Sequence, residues 1–311
     1  TMVEASPYAS EKPIDLSNTC LKKGALDGEV AVVTGSTSNV GMGFARALAW
    51  AGANVVVCGR NEARGQAIAG LINRESGEGK ALFVRTDVTR DEDVAELANQ
   101  AFSAFGKVDI LINNAMDLGI NGTVLDSPVS DLDRSYAISA HGSMLTIKAF
   151  VPAMVERGHG TVTYSSTQFN YWPPMLGGSM YTAGKAAATS LTMSLANEVA
   201  GTGVNVFCFC PAGVGAFNPD SLKDSDFSTE GFAMPGFPGL IPADASGAAM
   251  VYSILNGAKL HGSGIIVSDA LVAMGYPFPK PETLRKVHPP RLEDGYSITM
   301  AFCNMGKGFG D

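Results

Sequence analysis

Tyr181 and Lys185 lie four residues apart in "MYTAGKAAA" (180–188), at the start of an alanine-rich run. Gly177, Gly178 and Ser179 read as a loop and helix N-cap, and Ala183–Ala200 keeps a helical apolar pattern. The spacing therefore brings the phenol and the ammonium onto one helix face. A free phenol ionises near pH ~10, and an adjacent cation favours phenolate. Such a tyrosine can exchange a proton with an alcohol or carbonyl near neutral pH. The same spacing also decorates ordinary helix surfaces, so the rest of the chain must decide.

The elements around this pair alternate. Near-continuously apolar runs "EVAVVTG" (29–35), "NVVVCG" (54–59), "ALFVRTD" (81–87), "VDILINNA" (108–115), "GTVTYSS" (160–166), "VNVFCFC" (204–210) and "GIIVSD" (264–269) read as strands covered on both faces. Helical patterns fall at 41–52, 61–77, 90–105, 131–156, 180–200 and 243–257. This alternation predicts an α/β fold: a doubly wound parallel sheet between helical layers, one domain over 25–272. Residues 1–24, polar with Pro and Ser, read as an N-terminal arm, and 273–311 as a C-terminal tail. Within the tail, "YSITMAFCNM" (296–305) is apolar enough to require burial.

After the first strand, "VVTGSTSNVGMGFARALAWAG" combines small residues with a helix start. Gly35, Gly41 and Gly43 let backbone approach a pyrophosphate held at the helix N-terminus. The second strand ends in "CGRN", with Gly59 where a ribose-binding carboxylate would stand and Arg60 next. A guanidinium suits a 2′-phosphate, which favours NADP(H) over NAD(H). The plainer reading of Arg60 is a solvated charge.

The quoted pieces "TGSTSNVG" (34–41), "DV" (87–88), "NNA" (113–115), "SS" (165–166), Tyr181 with Lys185, and "PAG" (211–213) together resemble the short-chain dehydrogenase/reductase family over about residues 26–270. The resemblance implies a Rossmann-fold oxidoreductase acting on an alcohol or carbonyl. It makes Tyr181 the general acid/base, Lys185 the holder of the nicotinamide ribose, and Ser166 the partner of the substrate oxygen. It places Gly35, Ser36, Thr37, Asn39, Val40 and Gly41 around the cofactor. Arg60, Asn61, Asp87, Val88, Asn113, Asn114, Ala115, Pro211, Gly213 and Val214 complete that set.

Five positions, in four places, depart from the family pattern. Asn39 stands at the middle glycine of the cofactor turn; asparagine tolerates left-handed backbone, so the turn should survive. Met116 replaces the glycine after "NNA". Ser139 stands where the family has an asparagine that helps hold a water near the lysine; serine is shorter and leaves a gap that another water could fill. His141, two residues on, faces elsewhere and reads as a packed or interface histidine. Ala212 and Ala216 depart at the carboxamide grip.

Beyond Ser166, Gln168, Phe169, Tyr171 and Trp172 are expected to begin the substrate pocket. Phe217, Phe227, Phe232 and Phe237 are expected to close over it, fitting a bulky, largely apolar ketone or secondary alcohol. The competing reading is a non-catalytic cofactor-binding or regulatory protein on the same fold.

Composition excludes other classes. A net charge of −8, with no basic run, argues against nucleic-acid or anionic-membrane partners. Five scattered cysteines lack paired metal spacing, so no metal is expected and reduced thiols in a cytoplasmic protein are the simplest reading. Cys208 and Cys210 should share one face of a buried strand. The N-terminus has no charged region followed by an apolar one, and no uninterrupted apolar stretch is long enough to span a membrane. Thr1 ahead of Met2 reads as a cloning remnant. A homo-dimer or homo-tetramer acting on a small molecule is expected.

Overall fold

The computed structural model describes residues 14–117, 119–120, 122–167, 170, 178–211, 213–214, 240–241 and 243–275. Seven parallel strands form one sheet: β1 (Val30–Val33), β2 (Asn54–Gly59), β3 (Ala81–Arg85), β4 (Ile110–Asn113), β5 (Gly160–Ser165), β6 (Val204–Cys210) and, last in the chain, β9 (Ser263–Ile266). Their spatial order is β3-β2-β1-β4-β5-β6-β9. The strand ranges follow the apolar runs closely because side chains of both parities are buried. Ala31, Val33, Val55, Val57, Ile110 and Ile112 enter one core. Val30, Val32, Val56, Leu111, Val162 and Val206 enter the other.

Helices cover both faces. The first core takes α1 (Asn39–Trp50), α2 (Glu62–Ser76) and α7 (Ala243–Leu255). The second takes α3 (Asp91–Phe105), α5 (Gly142–Arg157) and α6 (Ser179–Glu198). Contact between α1 and α7 is backbone on backbone: a methyl on Gly43 would stand 2.1 Å from the Ala243 carbonyl oxygen, and one on Gly247 would stand 2.2 Å from that of Gly43. Beside them Arg46, 1% exposed, is held by Glu75 of α2 and Asp244 of α7 at 2.7 and 3.0 Å.

Residues 14–24 are not a detached arm. Ile14, Leu16 and Leu21 join the first core, and the Cys20 amide donates to the Met274 carbonyl at the far end of the described chain. Three apolar residues in a polar stretch are enough to fold it down. Elements the periodicity did not show are α8 (Gly257–Leu260), α9 (Val267–Ala273) and the two-residue pair β7 (Gly213–Val214) and β8 (Leu240–Ile241). Also unforeseen is a π-helical turn, Ala137–His141, joining α4 (Val129–Tyr136) to α5.

Within the continuous helix Val129–Arg157 one 18-residue stretch, with mean hydropathy 1.2, is long and apolar enough to cross a membrane by length and composition; half of that stretch is buried inside the protein. The sheet's order reverses between β1 and β4, and the crevice beyond their carboxyl ends is where such folds bind ligands.

Candidate active site

A cavity of about 450 Å³ opens at that reversal. Of the residues expected around a cofactor, Gly35, Thr37, Arg60, Asn61, Asp87, Val88 and Ala115 line it, together with Arg64, Met116 and Arg134. Its floor is backbone. A methyl on Gly41 would lie 2.4 Å from the Gly35 carbonyl oxygen and 2.6 Å from Asn114 Nδ2. Gly35 has φ +63° and its methyl would meet Ala115 Cα at 2.8 Å. Among the described residues Asn39 alone is a non-glycine at positive φ, at 46°, so asparagine does take the left-handed turn. No side chain caps the amides of α1 and no acid lies in its first turn, leaving donors and dipole to an anion.

Two expected cofactor residues brace this cradle. Ser36 turns inward, donating to the Val33 carbonyl at 2.6 Å and accepting from the Cys58 amide at 3.0 Å. Asn114 ties β4 to the first loop through the Thr34 carbonyl at 3.0 Å. Asn113 faces the other way, accepting from Thr146 at 2.6 Å. Val40 packs against the first core. Asp87 accepts from the Thr89 amide and hydroxyl at 3.0 and 2.7 Å. Burial opposes its ionisation, but those bonds and the nearby Arg60 and Arg90 charges outweigh it and hold the carboxyl below its ordinary value.

Across the crevice, α6 brings Tyr181 and Lys185 to the end of β5. The helix sits close because Gly184 has no side chain: a methyl there would lie 2.2 Å from Ser135 Oγ of α4. Lys185, 3% exposed, donates to the Ser165 carbonyl. Its Nζ lies 5.0 Å from the ring centre of Tyr164 and 5.7 Å from that of Tyr181. Burial lowers the ammonium from 10.5 to about 8, against the pull of Cys210 and Cys208. Burial, with Cys210 adding to it, pushes the Tyr181 phenol up rather than down. Desolvation disfavours the phenolate, so the resting phenol carries its proton. Ser166 is buried and shares a 2.6 Å hydrogen bond with Thr189.

Ser139, fully buried in the π-helical turn, sends its hydroxyl to Met116 Sδ at 3.2 Å. The expected gap is therefore filled by a thioether, not left for a water. Tyr164 lies in the same pocket. Burial keeps its phenol protonated; Ser139 is close enough to ease that shift, yet the phenol oxygen makes no hydrogen bond. His141 is exposed, not packed.

A family model described as short chain dehydrogenase matches residues 29–225, more than half of the chain. The chain belongs to this family. An uncharacterized oxidoreductase of Staphylococcus aureus (strain MW2) is 32% identical over 206 residues, covering 65% of this chain and 87% of the relative. The (21S)-21-acetoxyl-apo-melianone synthase SDR of Melia azedarach is 32% identical over 190 residues, covering 61% and 68%. Among solved structures, a short-chain type dehydrogenase/reductase from Mycobacterium marinum superposes with TM-score 0.67 at 26% identity, covering 78% of this chain and 94% of that one. L-sorbose reductase from Gluconobacter frateurii, solved with NADPH and L-sorbose, gives TM-score 0.68 at 24% identity over 79% and 97%, a likeness of fold alone.

This short-chain dehydrogenase is thus an oxidoreductase with a Rossmann fold that takes a nicotinamide cofactor. Gln168, Phe169, Tyr171, Trp172, Ala212 and the four phenylalanines expected above them fall outside the described residues. Pro211, Gly213 and Val214 continue β6 into β7. Sequence reasoning missed Arg64, although its place four residues after Arg60 on the first turn of α2 put both on one side. It also missed Arg134, which pairs with Asp117 at the cavity edge. Thr189 and Asn170 were missed too; a hydroxyl inside an alanine-rich helix carries no motif.

Cys208 and Cys210 are buried as one strand face requires. Glu29, Asp109 and His159 gather at the opposite, amino ends of β1, β4 and β5. There Lys107 and Arg157 already neutralise Asp109, at 2.8 and 3.1 Å.

Proposed function

We propose that this enzyme is NADP(H)-dependent and moves hydride between the nicotinamide and a bulky, mostly apolar ketone or secondary alcohol. The carrying observation is that Lys185 sits beside the Tyr181 ring and on the Ser165 carbonyl at the end of β5, with Ser166 next along the chain. Gly35, Gly41 and the free amides of α1 fit a pyrophosphate. Arg60 and Arg64, with Gly59 in place of an acid, fit a 2′-phosphate.

The bound cofactor supplies or accepts the hydride. This chain's residues handle the proton. Tyr181, held protonated, donates to the carbonyl oxygen as negative charge develops there, and Ser166 hydrogen-bonds that oxygen. Lys185, anchored on Ser165, places positive charge beside the phenol and eases formation of the phenolate left behind. In the alcohol direction Tyr181 takes the proton back.

The aromatic run after Ser166 supports an apolar substrate. The exposed stripe Val124, Leu125, Val129, Leu132 and Tyr136 supports a homo-dimer or homo-tetramer. Free thiols at Cys20, Cys58 and Cys208 support a reducing, cytoplasmic setting. The test is fluorescence titration with NADPH and NADH, followed by consumption of the preferred cofactor against a panel of ketones. No turnover of any ketone, with tight cofactor binding, would instead favour a regulatory protein.

A further inference from the structure

α6 carries three buried threonines whose hydroxyls bond a carbonyl one turn back. Thr182 reaches Gly178 at 3.1 Å, Thr192 reaches Ala188 at 2.8 Å, and Thr189 reaches Lys185 at 2.8 Å. Such back-bonding is the ordinary habit of a helical threonine. Among the described residues, Thr189 differs from the other two in having side-chain partners, where Thr182 adds only the Ser179 carbonyl at 3.0 Å. Ser166 Oγ lies 2.6 Å from its hydroxyl oxygen, and Asn170 Nδ2 donates to both, at 3.1 Å to Ser166 and 3.0 Å to Thr189.

Counting protons defines this arrangement. A hydroxyl has one proton to give. Either oxygen of the Ser166–Thr189 pair can be the donor; when Thr189 gives its proton to the Lys185 carbonyl, toward Ser166 it can only accept. Ser166 therefore spends its own proton on Thr189, and the Asn170 amide occupies one of its lone pairs. In this state Ser166 has nothing to offer a substrate oxygen.

We propose that Thr189 is a positioning residue that arms Ser166. Its hydroxyl turns from the Lys185 carbonyl to Ser166 Oγ, and the Ser166 proton is released toward the substrate carbonyl. No covalent bond changes. Thr189-to-Lys185 and Ser166-to-Thr189 hydrogen bonds are replaced by Thr189-to-Ser166 and Ser166-to-substrate bonds, two for two. The Lys185 carbonyl keeps the backbone bond of the helix, so the turn costs little. In the armed state Ser166 accepts from both Thr189 and Asn170, and a hydroxyl that accepts donates more strongly. This rests on the proposed ketone chemistry.

The test compares wild type, Thr189→Val, Thr189→Ser, Ser166→Ala and the Ser166→Ala/Thr189→Val double variant on one accepted ketone, with NADPH titrated separately. Valine keeps the shape and removes the hydroxyl. The expected result is a kcat lower by roughly tenfold in Thr189→Val, about the rate equivalent of one hydrogen bond. KM and NADPH affinity stay unchanged, and Thr189→Ser recovers the rate. Because Thr189 acts only through Ser166, the double variant should be no slower than Ser166→Ala alone. An unchanged Thr189→Val, or the same further loss in the Ser166→Ala background, overturns the role of Thr189 while leaving the ketone chemistry standing. A wild type inert on every ketone overturns both.

Discussion

Ser139 Oγ and Met116 Sδ meet at 3.2 Å, so two departures from the family pattern that lie 23 positions apart in sequence are a single packed contact. Met116 extends into space that a glycine would leave empty, and Ser139 is short enough to receive it. Ser139→Asn alone should therefore overpack, costing about 1–3 kcal/mol of stability. Adding Met116→Gly should recover most of that loss. Thermal unfolding of the two single variants and the double variant checks this. Ser139→Asn should also change turnover less than tenfold, below ~1.4 kcal/mol, since Tyr181, Lys185 and Ser166 are untouched. An inert wild type switched on by Ser139→Asn would instead mark a lost catalytic site.

Tyr181→Phe should keep cofactor binding and lower turnover by roughly 10²–10⁴, the usual size of a general acid–base contribution. Steady-state rates beside an NADPH titration decide it; undiminished turnover would remove Tyr181 from the chemistry.

Arg60→Asp should shift preference from NADPH toward NADH, because it removes a partner of the 2′-phosphate and adds a repelling carboxylate. Arg64→Ala should weaken NADPH more than NADH. Dissociation constants of both cofactors for each variant are the measurement, and a wild type that prefers NADH would contradict the assignment.

Lys185 gives stability a pH dependence. Its folded-state pKa of about 8 lies below the ordinary 10.5, so between these values the unfolded chain holds more protons and stability rises with pH. The penalty relieved is at most about 3 kcal/mol. Buried Cys58 and Cys208, whose thiols burial raises, slope the opposite way, so the signal is a difference. Cofactor-free wild type should gain on Lys185→Met as pH climbs from 8 toward 10 in denaturant unfolding. Parallel curves would show that Lys185 is not desolvated.

The fold was legible because parallel strands buried on both faces read as unbroken apolar runs; "NVVVCG" and "VNVFCFC" gave β2 and β6 to the residue. The cradle was legible because glycines there answer a steric demand on the backbone. The π-helical turn was not: one extra residue in a helical ring leaves no trace in a pattern of apolar residues. Nor was the phenol's upward shift, since the spacing of Tyr181 and Lys185 displays the cation and hides the desolvation. Thr189 needed coordinates, because only they show which of three similar threonines reaches Ser166.

The seam between α1 and α7 bears on synthesis. Gly43 and Gly247 touch through their backbones across two-thirds of the chain's length, and Arg46 waits for Asp244 in the same place. While the chain is still being made, the helix that presents its amides to the pyrophosphate lacks the surface it rests on. The nucleotide-binding first half is therefore not a unit that matures ahead of the rest. A chain stopped before residue 243 leaves the side of α1 that meets α7 without that partner and Arg46 without Asp244, a surface suited to chaperone capture. Cofactor binding should therefore depend on α7 having emerged to close the layer.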